Sequence, residues 1–346
     1  MNSTTEASLS HSDARETDAF RHLGFIDLPL SLRRLVIALV FALFGLAGAV
    51  PAKAVWVGKN SQNQTVTVDL KSAGPSNFSV LAVGNSNNLL DFGGGTFDGN
   101  IGDAHINPVL SGGTINGNVY LGNGIDSSNF IGHGTISGTV FTNQDAFLTQ
   151  PLADANAAFS AALTLKATQA LSTINDAWFG GLTTKTITGI AGTNVLNLSG
   201  INLTQGETLK LSAPAGGSFV LVVNGAVNLS SGASIVVDTT SGLAPLDVLY
   251  ALGGGSFAAT GTANRSSIID GIVMVNQGNF NITQGQVNGE VIGGCDLVFS
   301  QSRTTPGFSP IPETSTFLPL LGVLSIATGG QLLTRRRNAP PPQIGS

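Results

Sequence analysis

The chain is short of the residues that proteins use for covalent reinforcement and for most chemistry. Its one cysteine, Cys295, leaves no internal disulfide to form, and it reads as a small buried residue. Charged side chains are only 10% of the 346 residues, and aromatic side chains 6%, against about a quarter charged in ordinary proteins. With a net charge of −5 and no basic stretch away from the ends, nucleic acid is excluded as a partner. Of four histidines, His11 and His22 lie near the N-terminus, while His105 and His133 lie in turns without zinc-site spacing. Asp98 and Asp103 flank a glycine turn, too few carboxylates for a calcium cage, and read as turn residues. No nucleophile elbow, phosphate loop or dinucleotide fingerprint occurs. No catalytic, cofactor-binding or metal-ligating residue is therefore assigned.

Glycine is abundant instead, at 45 residues, and 42% of the chain is hydrophobic. The glycines have no collagen period and the prolines number only 14, so the pattern is that of β-structure with many tight turns. The core must then be assembled from many small Val, Ile, Leu and Ala contacts.

Both ends read as addresses. Arg33 and Arg34 precede the apolar run 35–50, and Pro51-Ala52-Lys53-Ala54 follows it. A positive flank, a short apolar stretch and small residues at Ala52 and Ala54 describe a signal peptide over 1–54, cut before Val55. Near the C-terminus, Pro312-Glu313-Thr314-Ser315-Thr316 leads into the mostly apolar segment 317–333 and then Arg335-Arg336-Arg337. That is the arrangement of a transmembrane segment stopped by cytoplasmic positive charge. The region 312–337 resembles the PEP-CTERM sorting signal of Gram-negative bacteria, with Thr314 where the motif has its second proline. The resemblance implies signal peptidase and an exosortase-type enzyme as processing partners. It also implies passage through the inner membrane to the cell surface or extracellular matrix. A linker, 302–311, precedes this region and a tail, 338–346, follows it.

Between the ends, the body 55–301 carries a repeat. Thr96-Phe97-Asp98-Gly99-Asn100-Ile101 recurs as Thr114-Ile115-Asn116-Gly117-Asn118-Val119 and Thr135-Ile136-Ser137-Gly138-Thr139-Val140. A fourth relative, Gln286-Val287-Asn288-Gly289-Glu290-Val291, lies far downstream. Units of about 20 residues that bury an apolar face only by stacking predict a β-solenoid. One segment departs from this: apolar residues at three- and four-residue intervals predict an amphipathic helix over 150–174, with Pro151 in its first turn. Its length suits docking along the stacked strands. Short strands are expected after it, at 194–198, 208–211, 219–223, 234–237, 247–252 and 271–275.

The order of these segments, with Asn77-Phe78-Ser79-Val80-Leu81, Leu211-Ser212-Ala213-Pro214-Ala215-Gly216 and Val248-Leu249-Tyr250, resembles the choice-of-anchor A family. That family is an ice-binding-like adhesive domain of bacterial surface proteins. It implies a right-handed β-helix with an accompanying helix and supplies no catalytic residue. The expected function is that of an exported, non-enzymatic adhesin whose ligand is a polysaccharide or a cell surface. The alternatives are a polysaccharide-active β-helix enzyme, for which clustered carboxylates are lacking, and an ice-binding protein. The latter needs regular threonine ranks, of which Thr96, Thr114 and Thr135 make one. The Asn-x-Ser/Thr triplets at Asn77, Asn197, Asn202, Asn228 and Asn281 follow from a composition rich in those residues.

Overall fold

The computed structural model describes residues 54–84, 88–104, 107–129 and 134–305. Ala52, His105, His133 and the whole sorting region with Pro312, Glu313, Ser315, Thr316 and Arg335–Arg337 lie outside them. Parallel strands stack into a β-solenoid whose coils present three faces. The first, called here the covered face, is a nine-stranded sheet. The other two faces belong to one fourteen-stranded sheet that turns a corner, because the strands Leu89–Asp98, Asn107–Asn116 and Leu297–Thr305 run through both. Strands on the two sides of that corner carry different side chains, and the faces are called plain and charged accordingly.

The chain enters the stack in its middle. Val80–Ala82 is the sixth strand of the covered face, and the next coils add Ile101–Asp103, Val119–Leu121 and Val140–Phe141 in one direction. A helix, α1 (Asp145–Leu163), then returns the chain to the opposite end, where Gly192–Leu198 is the first strand. Later coils grow back until Val291 pairs with Val80. Nineteen helical residues extend about 28 Å, close to six strand spacings. A helix suits this return because it bonds its own backbone and can cross the stack without pairing with any strand.

The helix starts five residues earlier than the expected 150–174 and ends eleven earlier. After Leu163 the chain must rejoin the sheets: Lys166 N–H donates to the Lys59 carbonyl, Thr168 N–H to Val195, and Thr173–Ile174 already forms a strand of the plain face. The three- and four-residue spacing of Ala167, Ala170 and Leu171 is thus overridden by strand pairing. Pro151 sits within the helix and is buried. A short helix, α2 (Asp176–Phe179), is capped by the Asn175 side chain, which accepts from Trp178 N–H at 3.0 Å.

Burial explains why the covered face is apolar on both sides. Val248–Leu252 and Ile272–Val275 have every residue buried, one set of side chains facing the solenoid core and the other facing α1 and an N-terminal hairpin, β1 (Val55–Lys59) and β2 (Thr65–Asp69). The cover is fastened by polar contacts as well. The buried Asp154 of α1 accepts from the Ser72 hydroxyl at 2.5 Å, Ser72 N–H at 3.3 Å and the Gln150 amide at 2.9 Å. Burial alone would push this carboxyl up, but those bonds outweigh it and leave it below the usual range.

The repeat is realised as stacked corners. Thr96, Thr114 and Thr135 are in register, and Gln286 joins the same column through Arg303. A side chain at Gly117 would approach the Gly99 carbonyl to 2.2 Å, and one at Gly138 would approach that of Gly117 to 2.3 Å. Glycine is required there because successive backbones nearly touch. Asn100 and Asn118 side chains each accept from the backbone N–H of the following coil's corner, Asn118 and Thr139.

Candidate functional site

The crevice that stands out among the described residues is too small for a substrate. The best-formed crevice, lined by Val83, Ala155, Phe159, Met274 and Ile292 beside α1, has room for about one water. No group of three or more His, Cys, Asp or Glu among the described residues could hold a metal ion. Asp98 and Asp103 are not brought together for one. Asp98 pairs with Arg303 at 3.2 Å and accepts from Asn116 at 2.8 Å, whereas Asp103 is buried on the covered face. Cys295 is half-buried instead of buried, and partial burial together with Asp296 raises its thiol pKa. Of the expected cleavage residues, Ala54 is buried and its carbonyl accepts from Leu70 N–H, while Val55 opens β1.

With recognition in a pocket set aside, the exposed sheet faces are the remaining broad surfaces. The charged face carries Thr184, Thr208, Ser234, Ile268, Gln286, Arg303, Thr96, Thr114 and Thr135 in one column, of which Ser234 is buried and accepts from Ile268 N–H. The threonine rank expected from the repeat therefore exists, but it is broken in the middle by an isoleucine, a glutamine and an arginine. Lys210 and Asp238 form a salt bridge at 3.2 Å on the same face. The Thr240 hydroxyl and Lys210 hold the Asp238 carboxyl below its usual range.

The plain face differs in kind. Its inward residues alternate with outward ones, as in the patterns Gly200–Leu203 and Phe280–Thr283. The central outward column reads Asn202, Asn228, Ala258, Asn281, Val298, Asp91, Val109. Beside it run Thr204, Ser230, Thr260, Thr283, Ser300 and Gly93, and on the other side Gly200, Ala226, Ser256, Asn279 and Asp296. Eighteen positions thus hold two charges, both acidic, no lysine or arginine and no aromatic ring. Both acids are hydrogen-bonded locally: Asp91 accepts from the Ser111 hydroxyl at 3.3 Å and Asp296 from Leu89 N–H at 2.9 Å. Columns repeat at the strand spacing of about 4.8 Å. The result is a flat array of small hydroxyl, amide and methyl groups.

These residues were legible in the sequence as something else. Three of the five Asn-x-Ser/Thr triplets, at Asn202, Asn228 and Asn281, are the plain face's own repeat: apolar, Asn, apolar, Ser or Thr. Phe257-Ala258-Ala259-Thr260 and Leu297-Val298-Phe299-Ser300 are degenerate copies of it.

No family model matches the sequence, and no curated protein matches it. Solved structures do. An ice-binding protein from the Antarctic ascomycete Antarctomyces psychrotrophicus is 22% identical with a TM-score of 0.48, covering 70% of this chain and 99% of its own. An ice-binding protein domain of Shewanella frigidimarina is 16% identical with a TM-score of 0.45, covering 68% and 97%. An ice-binding protein from an Antarctic Flavobacteriaceae bacterium is 19% identical with a TM-score of 0.47, covering 75% and 52%. Likeness at this level assigns no ligand.

Proposed function

We propose that this chain is an exported, non-enzymatic binding protein whose plain face docks on an extended regular surface, and that the surface is ice. The observation that carries the reading is the outward composition of the plain face: eighteen in-register positions, small, flat and almost free of charge. Ionic groups hold water in shells of their own, whereas hydroxyls, amides and methyls at a fixed spacing leave interfacial water free to adopt the order of a lattice. A surface with no groove also favours a planar ligand over a single molecule.

Ice recrystallisation inhibition by the full chain tests this. Ala258→Tyr, in the middle of the central column, is expected to abolish the inhibition while changing stability by less than about 0.5 kcal/mol, as surface substitutions do. Thr114→Tyr on the charged face is expected to leave it intact. An inactive native chain, or an active Ala258→Tyr variant, would overturn the reading.

Export is the second part of the proposal, resting on the two ends of the sequence. Signal peptidase cuts before Val55, the apolar segment 317–333 holds the chain transiently in the inner membrane of a Gram-negative bacterium, and an exosortase-type enzyme acts near Pro312-Glu313. Deleting 312–337 is expected to deplete the protein from the surface and matrix fractions; unchanged fractions would refute the sorting role.

A further inference from the structure

A second surface, at the far end of the covered face, has different chemistry. The outward column there runs Leu81, Gly102, Tyr120, Phe141 through four successive strands. Gly102 has no side chain, and the space is taken by Phe78, which a Cβ at Gly102 would meet at 2.7 Å. Phe78 in turn sets its ring edge-on to Tyr120, with centroids 6.3 Å apart and planes at 82°. Tyr120 lies nearly parallel to Phe141 (5.1 Å, 10°) and stacks on Phe147 from the first turn of α1 (4.6 Å, 29°). Phe78 is buried, but the outer rings are not sealed into a core: Phe141 is 38% and Phe147 47% exposed. Val140–Phe141 is also the last strand of its sheet, so among the described residues no further strand pairs beyond Phe141.

The rim of this shelf carries no positive charge; its one acid, Asp145 at the start of α1, accepts from Asn123 N–H at 2.7 Å. The Asn118 amide donates to the Tyr120 hydroxyl at 3.4 Å, and Thr139, Thr142 and Asn143 are exposed beside it in the chain. No lysine or arginine occurs between Lys71 and Lys166, the stretch that supplies every ring of the cluster. Polyanions, whether nucleic acid or acidic polysaccharide, therefore find no counter-charge here. Parallel aromatic faces with amides and hydroxyls at their edge match instead a ligand with an apolar C–H face and a hydroxylated rim.

We propose that Phe141 and Phe147, held by stacking on Tyr120 between them, form a shelf whose exposed faces stack pyranose rings of a neutral polysaccharide. This site is separate from the plain face and does not depend on the ice reading. The shelf would bind matrix or cell-wall glycan while the plain face remains free.

Native affinity electrophoresis of the full chain in gels containing hydroxyethyl cellulose, glucomannan or soluble starch, with alginate as the charged comparison, tests it. Retardation is expected in at least one neutral gel and not in alginate. Phe141→Ala and Phe147→Ala are each expected to weaken it about three- to ten-fold, the range of one lost aromatic stacking contact. Unchanged melting temperatures in both variants would show that the solenoid is intact. The proposal fails if no neutral gel retards the chain, if only alginate does, or if both variants are retarded like the native protein. It fails equally if the chain sediments as a dimer that Phe141→Ala dissolves, since a second copy would then occupy the shelf.

Discussion

Gly95→Ala is expected to destabilise the solenoid by about 2–5 kcal/mol, a large part of the 5–15 kcal/mol that holds a typical domain. Gly95 lies where the strand Leu89–Asp98 bends from the plain to the charged face, with φ +104°. Forcing an L-residue into positive φ costs about 1–2 kcal/mol by itself. The larger contribution is steric: a Cβ there would stand 1.7 Å from the Ser302 carbonyl oxygen and 2.6 Å from its nitrogen. Ser302 cannot retreat, because its strand is paired on both sides, with Leu89–Asp98 and with Gly285–Asn288. Overpacking against fixed backbone costs about 1–3 kcal/mol or more. Gly216→Ala supplies the control, since Gly216 also has positive φ (+78°) but open space where a Cβ would go. It is expected to cost about 1 kcal/mol. Denaturant unfolding of both variants, followed by circular dichroism, measures the difference. Equal losses would mean that coil-to-coil contact at Gly95 is not what glycine is there for.

The same bend shows how far the sequence could be read. The glycine excess pointed to corners, and at Gly117, Gly138 and Gly289 a Cβ would indeed run into the backbone of the neighbouring coil. At the corner between plain and charged faces, however, several coils use Gln205, Ser231, Gln284 and Gln301 in left-handed conformation, with a Gln284–Gln301 amide contact at 3.1 Å. Nothing in a glycine count marks those residues as corners. The strands expected after the helix all appear within two residues of their bounds, because a short β-branched or apolar run between turn residues is a local property. Stacking order is not local. That Val291 pairs with Val80, more than two hundred residues away, follows from a chain that enters mid-stack, and no periodicity encodes it. The plain face was missed for that reason: its columns join residues 91 and 298, which only the assembled stack makes neighbours. The helix boundaries failed for the complementary reason, since Thr173–Ile174 pairs with Gly200–Leu203 despite its helical spacing.

Removing the carboxyl of Glu290 is expected to make the protein more stable. Glu290 belongs to the fourth copy of the repeat, at the position held by Asn100, Asn118 and Thr139 in the others, and it is fully buried. Its backbone carbonyl serves Val273 N–H, but neither carboxyl oxygen has a hydrogen-bond partner among the described residues. The neighbouring Ser79 hydroxyl is already committed to the Asn100 carbonyl. Burial drives the Glu290 pKa well above the ordinary carboxyl value of 4.5. Below about pH 4.5 both native and unfolded chains carry the proton, and the group contributes no pH dependence. Above it the unfolded chain ionises while the native one stays protonated, so stability falls by up to about 1.4 kcal/mol per pH unit. That loss continues until the native carboxyl itself ionises. Glu290→Met removes both the unsatisfied acceptors and the titration, and is expected to add about 1–3 kcal/mol at pH 4, where only the acceptors count, and more at pH 7. That corresponds to roughly 2–4 °C in melting temperature per kcal/mol for a body of this size. Glu290→Gln keeps the shape and removes only the ionisation. Other carboxyls also titrate, Glu207 and Asp247 raised by burial and Asp154 lowered, so the informative quantity is the difference between native and variant across pH 4–9. The gap should be smallest at pH 4 and widen steadily with alkali. A constant gap would attribute the gain to packing alone, and a destabilised Met variant would mean that the carboxyl has a partner after all.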